Sequence, residues 1–308
     1  MVFNWFIIIN PCSGKNIYRR RLKQLKSALY ACNQTCEFEL TKSEGHAVEL
    51  AQKALDKGYK QLVVMGGDGT INEVINGVLS SDITSTEDIV IAAVPTGTGN
   101  DWIRQWNINK KTNLNDYFQS GKRILVDVGS VEEKKTEEKH KRYFINAFGL
   151  GFDGDVVYRA ELLRNWVGAR SWTYVASVFF SVFKLRYKQL CVETEKERIN
   201  NDVLTICIGN GCYSGGGLLQ TPKADPCDGL FDMMLVQRIR FRDIPSLLNH
   251  LLKGKMDIHP KVKSIKSSMI IINSDQSVRC ETDGVLLNLN FPIEIKIIPK
   301  KIQFLIPS

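Results

Sequence analysis

The stretch VVMGGDGTINEVINGVL, residues 63 to 79, places three glycines around Asp68, between an apolar run and an amphipathic segment. The apolar run predicts a buried strand ending at Met65, and GGDG predicts a turn that a ligand can approach closely, because glycine has no side chain. Thr70 and Glu73 have the T-x-x-E spacing of a capping box, so a helix should begin at this turn. A helix N-terminus favours anions. Asp68 is therefore either a turn residue or part of a phosphate and metal site.

Two more small-residue loops follow strand-like runs. IVIAAV (89 to 94) runs into PTGTGND (95 to 101), and WFIIIN (5 to 10) runs into the loop NPCSGK, which carries Lys15. In open α/β sheets, ligands bind at the carboxyl ends of the strands. One Gly-Asp-Gly is most often only a turn. Three such loops, two of which carry an acid, indicate a phosphate site with Asp68 and Asp101.

The order of apolar patterns predicts two domains. Over about the first 126 residues, strand-like runs alternate with helical patterns such as 17 to 31, which predicts an α/β domain with a parallel sheet. The pattern then changes to β-rich alternation, which predicts a second domain over residues 127–291, with helical insertions at 153–183 and 242–252. Residues 292–308 read as a strand pair that closes either domain.

Composition is that of a globular protein with a substantial core. The chain has 308 residues, 44% hydrophobic and 24% charged. The first residues lack the pattern of a signal peptide, and their apolar run is too short to cross a bilayer. These features predict a cytoplasmic protein. The eight cysteines show neither a CxxC pair nor zinc spacing, so they are expected to be reduced.

The net charge is +8, and basic residues cluster late in the chain. The cluster comprises Arg238, Arg240, Arg242, Lys253, Lys255, Lys261, Lys263 and Lys266. No aromatic-interleaved or zinc-finger pattern accompanies it, so nucleic acid is not the expected partner. An anionic membrane surface and a simply solvated basic face are the two remaining interpretations.

The common nucleotide motifs are absent. Neither G-x-x-x-x-G-K-[ST] nor a dinucleotide-binding GxGxxG occurs after a strand. Bound phosphates should therefore be held mainly by backbone N–H groups and Mg²⁺.

GGDGTINEVINGV together with VPTGTGNDW resembles the diacylglycerol kinase catalytic family, which includes bacterial lipid kinases, sphingosine kinases and ceramide kinases. NPCSG, GLGFDGDVV, GGGLLQTPKADPCDGLFDMMLV and ETDGV are similar to other segments of that family. The resemblance implies an ATP- and Mg²⁺-dependent kinase for a lipid alcohol, diacylglycerol-like or sphingoid-like. It also implies an N-terminal nucleotide domain like that of NAD kinase and phosphofructokinase, a C-terminal β-sandwich for the lipid, and a homodimer in many members.

The resemblance also assigns residues. Those expected at the nucleotide are Asn10, Pro11, Cys12, Ser13, Gly14, Thr41, Gly66, Gly67, Asp68, Gly69, Thr70, Asn72, Glu73, Thr98 and Asn100. Asp68 and Asp101 would organise the catalytic Mg²⁺, and Asp283 would accept or orient the proton of the substrate hydroxyl. A structural Mg²⁺ or Ca²⁺ would be held by Asp228 with the carbonyls of Asp225 and Leu230. A plain Asp-Gly turn is the alternative there.

One position departs from the family pattern. The late motif commonly reads D-G-E, whereas Val285 follows Asp283 and Gly284 here. Valine cannot move a proton, so Asp283 suffices as the base, Glu281 substitutes for the missing glutamate, or activity is weak or altered. Strand periodicity places Glu281, Asp283 and Val285 on one face.

The most apolar helical segment is WVGARSWTYVASVFFSVFKL, residues 166 to 185, which has basic residues on both sides. It is either lipid-contacting or packed on the β-domain core. Two other functions stay open beside a lipid kinase. One is an NAD kinase-like or phosphofructokinase-like enzyme, because these share the GGDG loop, and the other is a nucleotide- and lipid-binding regulator without catalysis, because of Val285.

Overall fold

The structure, a computed structural model, describes residues 4–14, 17–81, 85–97, 99–135, 141–167 and 185–308. The chain forms two compact units. The first comprises Met1–Asp127 and Pro299–Ser308, and the second comprises Val128–Ile298. The boundaries predicted from the sequence lie near residues 126 and 292. Lys15, Thr98 and most of the apolar segment 166–185 lie outside the described residues.

The first unit is a parallel sheet with helices. Its elements are β1 (Asn4–Ile9), α1 (Ile17–Ala31), β2 (Thr35–Leu40), α2 (His46–Asp56), β3 (Gln61–Gly66), α3 (Asp68–Leu79), β4 (Val90–Pro95), α4 (Asp101–Arg104) and α5 (Leu114–Ser120), with a 3₁₀ turn at Thr86–Asp88. The strand order β4-β3-β1-β2 is parallel throughout. Every residue of β3 and β4 is buried, as expected for a parallel sheet covered on both faces. The predicted α/β fold is confirmed.

The second unit is antiparallel and forms a β-sandwich. Its elements are β5 (Lys122–Glu133), β6 (Arg142–Phe144), β7 (Ala147–Gly151), α6 (Phe152–Val167), β8 (Lys188–Thr194), β9 (Arg198–Gly209), β10 (Tyr213–Ser214), β11 (Leu218–Leu219), β12 (Phe231–Gln237), α7 (Ile244–Leu252), β13 (Val262–Ser267), β14 (Met269–Asn273), β15 (Cys280–Thr282) and β16 (Val285–Leu287), with 3₁₀ turns at Phe241–Asp243 and Met256–Ile258. One path of neighbours runs β16-β15-β7-β9-β8-β14, and β12 pairs with β9 and β13. Phe144, Phe148 and Phe231 lie in its core.

The final segment is one strand, not the expected strand pair. β17 (Ile293–Ile306) is 14 residues long. Its first part pairs antiparallel with β14, and its last part pairs parallel with β4 at Gln303 and Phe304. Among the described residues, no helix has both the length and the apolar character needed to cross a membrane.

Candidate functional site

The three glycine-containing loops of the first unit meet one another. The N–H groups of Thr96 and Gly97 donate to the carbonyl of Gly66 at 3.0 and 3.2 Å, which fastens the loop after β4 to the end of β3. A Cβ on Gly97 would lie 2.9 Å from Gly67 Cα. Gly14, at φ +78°, has room only for a hydrogen, because a Cβ there would overlap the carbonyl oxygen of Thr96. The approach of these backbones therefore depends on glycine.

Asp68 joins two of these loops. Its carboxylate oxygens accept the backbone N–H groups of Asp101 at 3.0 Å and Trp102 at 3.1 Å, at the start of α4. Burial raises the pKa of Asp68, while the N–H donors of Asp101, Trp102 and Asn100 act in the opposite direction. A Cβ on Gly99 would lie 2.9 Å from Asp68 Oδ2. Asp68 is thus more than a turn residue, since it sets the position of Asp101.

The expected capping box does not form. α3 begins at Asp68, two residues before Thr70, and its N-cap is Gly67, which has no side chain. Thr70 Oγ1 accepts a hydrogen bond from Asn10 Nδ2 at 3.1 Å, and Glu73 accepts the backbone N–H of Ala47 at the start of α2. Each member of the T-x-x-E pair is bound to another element. The first N–H groups of α3 are left without an N-cap side chain.

The remaining expected nucleotide residues lie at or near these loops. Asn10 also accepts the N–H of Cys12 at 3.0 Å, which shapes the loop that contains Pro11 and Ser13. Thr41 directly follows β2, where its N–H donates to Ile9. Asn72 is buried and accepts from Asn76. Asn100, at φ +56°, donates to the carbonyl of Gly97. Gly69 belongs to the first turn of α3.

Asp68 and Asp101 are the two acids that the family resemblance assigned to the catalytic Mg²⁺, and both oxygens of Asp68 accept backbone N–H groups of α4. No cluster of three or more His, Cys, Asp or Glu side chains suited to a metal occurs within the described part of the chain. A metal at these loops would therefore have at most two protein carboxylates. Mg²⁺ is commonly bound by one or two carboxylates together with waters and substrate phosphates. Two acids would therefore be enough for a metal that arrives with a nucleotide.

In the second unit, the motif ETDGV forms a tight hairpin. Asp283 and Gly284 both have positive φ, at +49° and +82°, and connect β15 to β16 as an Asp-Gly turn does. Thr282 pairs with Val285, and Glu281 pairs with Leu286. The expectation that Glu281, Asp283 and Val285 share one strand face is therefore wrong. The turn separates Asp283 from both strands and puts Glu281 and Val285 on opposite faces.

Asp283 is held by backbone donors. Its Oδ2 accepts the N–H of Ile145 at 2.9 Å, and its Oδ1 accepts those of Asn146 at 3.0 Å and Ala147 at 2.9 Å. The residue is only 8% exposed. Three of about four acceptor positions of the carboxylate are thereby used. Asp283 anchors the start of β7, which leaves it little capacity to accept a substrate proton.

Glu281 lies beside a second acid. The strand register places it opposite Gly149 of β7, which in turn lies opposite Cys207 of β9. A Cβ on Gly149 would lie 2.6 Å from Glu281 Oε1 and 3.0 Å from Asp153 Cβ. The empty side-chain position of Gly149 is therefore shared by Glu281 and by Asp153, from the first turn of α6. Glu281 Oε2 accepts the N–H of Gly284 at 2.7 Å.

Both acids hold protons unusually tightly. Burial, reinforced by the charges of Asp153 and Asp283 and opposed by the Gly284 hydrogen bond, raises the pKa of Glu281 to about 8. Burial likewise raises the pKa of Asp153 to about 7, against a hydrogen bond with Thr205. Burial and these two acids also raise the pKa of Cys207. Acids with pKa values near the working pH are candidates for proton transfer.

Asp153 was not predicted from the sequence as a site residue. It lies in GLGFDGD, a segment noted only for its family resemblance. Its weak signal was the pair of acids, Asp153 and Asp155, in the first turn of a predicted helix. Only the register of β7 and β15 shows that Asp153 meets Glu281.

The expected structural metal site does not fit a divalent cation. Lys266 Nζ lies 2.9 Å from Asp228 Oδ2 and 3.1 Å from Asp232 Oδ2, so an ammonium group already faces these oxygens. The carbonyl of Asp225 accepts the N–H of Asp228, and Asp228 Oδ1 accepts the N–H of Leu230. These bonds form an Asp-Gly turn closed by a lysine.

Comparisons with known proteins agree with this architecture. The sequence model of the diacylglycerol kinase catalytic domain matches residues 4–131, and that of the YegS C-terminal NAD kinase beta sandwich-like domain matches residues 146–306. The chain is 30% identical over 300 residues to "Putative lipid kinase YtlR" of Bacillus subtilis, covering 92% of this chain and 94% of that protein. It is 26% identical over 280 residues to a diacylglycerol kinase of Staphylococcus carnosus, covering 90% and 87%.

The fold also matches a solved structure. The crystal structure of "a putative diacylglycerol kinase" from Bacillus anthracis superposes with a TM-score of 0.79, at 20% identity, over 99% of this chain and 97% of that one. The chain belongs to the diacylglycerol kinase family and is a lipid kinase by that membership.

Proposed function

We propose that the protein transfers the γ-phosphate of ATP to the hydroxyl of a membrane lipid, diacylglycerol-like or sphingoid-like, in a Mg²⁺-dependent reaction at the cytoplasmic face of the membrane. The observation that carries the proposal is the convergence of three glycine-containing loops around Asp68. The N-terminus of α3, which has no N-cap side chain, presents the positive end of the helix dipole to a phosphate. Mg²⁺ held by Asp68 and Asp101 would neutralise charge on the phosphates.

Glu281 is the candidate proton acceptor of the second unit. Within the described part of the chain, its Oε1 accepts no backbone bond comparable to the 2.7 Å bond of Oε2, whereas Asp283 is bound through both oxygens. Glu281 loses its proton at a pKa of about 8, so the deprotonated acceptor accumulates in mildly alkaline solution. Asp153 supplies a neighbouring negative charge that increases the basicity of Glu281. This favours Glu281 as the replacement for the family glutamate.

Radiolabelled ATP offered with mixed micelles of single lipids tests the proposal. The lipids are diacylglycerol, monoacylglycerol, a sphingoid base and a polyprenol, with NAD as a water-soluble acceptor. Label in at least one lipid, dependent on Mg²⁺ and lost in Asp68→Ala, is the expected result. Labelled NAD would instead identify an NAD kinase-like enzyme. ATP binding with no labelled product would identify a regulatory protein.

One face of α7 suits the membrane surface. Ile244, Leu247 and Leu251 pack on a small core, so Leu248 and Leu252 point away from it. Leu252 is 73% exposed, and the neighbouring Phe241 and Ile258 are 68% and 65% exposed. The exposed cations that flank these residues in the sequence are Arg240, Arg242, Lys253 and Lys255. Apolar groups ringed by cations are typical of interfacial helices on anionic bilayers. We propose that this face contacts such a bilayer.

Vesicle co-sedimentation tests the membrane contact. Phe241→Ser combined with Leu252→Ser should reduce binding to phosphatidylglycerol vesicles, whereas Tyr30→Ser, an 84% exposed residue of the first unit, should not. Activity on micellar lipid should stay unchanged in the double variant. Unchanged vesicle binding together with conversion of a dimer to a monomer would instead assign this face to self-association.

A further inference from the structure

A basic pocket lies in the first unit, on residues that the proposed reaction does not use. It has a volume of about 420 Å³ and lies between α1 and the segment from Lys110 into α5. This volume is within the range of small-molecule sites, about 300–1,000 Å³. Four cations line it, namely Arg20, Arg21, Lys110 and Lys111, and no acidic residue does. The other lining groups are amides, hydroxyls and one leucine.

Arg21 is the unusual member of this group. It is 5% exposed, and it lies on the inward face of α1 next to Leu25. Its Nη1 donates to Gln24 Oε1 at 3.2 Å, and its Nη2 is 3.5 Å from the carbonyl of Thr112. Within the described residues, Nε has no hydrogen-bond partner. Among the residues that the structure describes, the guanidinium therefore donates only to neutral acceptors, and its buried Nε donates to none.

The charges around Arg21 are unfavourable without a ligand. Burial lowers the pKa of Arg21, and the neighbouring charge of Arg20 lowers it further. The nearby acid on α5, Asp116, is bound by the amide of Asn113. Removing a charge from water is unfavourable when no opposite charge compensates. An anion in the pocket would supply that opposite charge.

The number and kind of the cations that line the pocket indicate which class of anion would bind there. Arginine presents a planar set of donors that matches phosphate oxygens, and lysines add point charges. A single carboxylate would leave most of four positive charges uncompensated, whereas a phosphate monoester or a diphosphate carries two or more negative charges. Gln24, Thr112 and Asn115 add neutral polar groups for the remainder of such a ligand.

We propose that the pocket between α1 and α5 binds a phosphate group, from a free phosphorylated small molecule or from a phospholipid headgroup, at a site separate from the glycine-containing loops. The site is built by Arg21 from within and by Arg20, Lys110 and Lys111 at its rim. Its occupant neutralises the buried guanidinium, so ligand binding stabilises the first unit.

Calorimetric titration of the full chain with pyrophosphate and inorganic phosphate tests the proposal. Arg21→Met and Lys111→Gln should each lower pyrophosphate affinity roughly tenfold or more, because each removes a charge-assisted contact. Lys23→Gln removes one charge from the exposed face of the same helix and should leave affinity within about twofold, as expected for a screened surface charge. Binding at the glycine-containing loops is the same in all four proteins, so it does not affect the comparison.

Two further measurements separate a loss of binding from a loss of folding, and a free ligand from a lipid headgroup. Without ligand, Arg21→Met should melt no lower than the unsubstituted protein, because it removes an uncompensated buried charge. Lys111 is exposed, so its variant tests the pocket without a folding risk. Loss of pyrophosphate binding in both variants identifies a free ligand. Loss restricted to phosphatidylglycerol vesicles, with phosphatidylcholine as reference, identifies a headgroup. If both variants match Lys23→Gln in every titration, the proposal is overturned.

Discussion

Two pairs of acids in the second unit differ in what neutralises them. Asp228 and Asp232 face the ammonium of Lys266 at 2.9 and 3.1 Å. Asp153 and Glu281 share the space above Gly149, and the pKa of each is raised by burial. The first pair faces a cation, as a structural site should. The second keeps an exchangeable proton, so similar residues serve different purposes according to whether a cation reaches them.

The largest expected effect is on catalysis, in Glu281→Gln. Loss of a proton acceptor should lower kcat about 100-fold or more at pH 8.5. The unsubstituted enzyme should gain activity as pH rises through about 8, where Glu281 becomes deprotonated, and this rise should disappear in the variant. Rate measurements on micellar lipid from pH 6 to 9 check this, with the half-buried Glu193→Gln, whose partner is Arg198, as control. A full pH-dependent rise in Glu281→Gln would exclude the proposed role.

The same variant has a second readout in stability. The folded protein holds the proton of Glu281 up to a pKa of about 8, while the unfolded chain releases it near 4.5. Stability of the unsubstituted protein should therefore fall as pH rises between these values. Urea unfolding should show a smaller fall in Glu281→Gln.

Asp283 is a third kind of acid, because it lies two residues from Glu281 but is held by backbone N–H donors instead of by a cation. In Asp283→Asn, the amide keeps one acceptor oxygen and tolerates the left-handed backbone, so the buried N–H groups of residues 145–147 lose part of their pairing. We expect a loss of about 1–3 kcal/mol in the free energy of unfolding. Urea titration measures it. Reduced activity at unchanged stability would mean that Asp283 acts chemically rather than as an anchor.

Lys266→Met removes the ammonium group that faces Asp228 and Asp232, so these two acids lose their opposite charge. Asp232 is 1% exposed, and burial already raises its pKa against the opposing effect of Lys266. We expect a loss of about 1 kcal/mol in stability at pH 8, given that Lys266 is partly exposed. The loss should shrink in acid as Asp232 becomes protonated. Equal losses at pH 8 and pH 4 in thermal melting would contradict this account.

The smallest expected effect is in Asp153→Asn. Removing the neighbouring negative charge should lower the pKa of Glu281 and move the midpoint of the activity profile to lower pH by about half a unit. Near pH 7, the activity should then rise a few-fold if Glu281 alone accepts the proton. An unchanged midpoint would show that Asp153 has no influence on Glu281.

Much of the fold was readable from periodicity. α1 has the bounds predicted for it, and the strands of the parallel sheet lie within a residue or so of their apolar runs. The three glycine-containing loops follow β1, β3 and β4, as the rule for open sheets requires. The capping box failed because Thr70 and Glu73 found partners on other elements, which a local pattern cannot reveal.

The second unit was harder to predict because its contacts depend on strand register. Asp283-Gly284 carried the signal of a tight hairpin, and treating it as continuous strand put Glu281 and Val285 on the wrong faces. Asp153 and Glu281 are 128 residues apart, counted from their numbers, and nothing local links them. Lys266 stood in the basic cluster, where its charge suggested a surface role rather than a partner for Asp232.

The glycine contacts of the first unit constrain how this enzyme can evolve. Where Gly67 approaches Gly97 and where Gly14 approaches Thr96, the loops contact through main-chain atoms, and most side chains would separate them. Most substitutions at these contacts would therefore disrupt the packing of the loops rather than alter which ligand they prefer. New acceptor preferences should arise through changes in the second unit, and a saturation library should recover functional diversity there and near-uniform intolerance at Gly14 and Gly97.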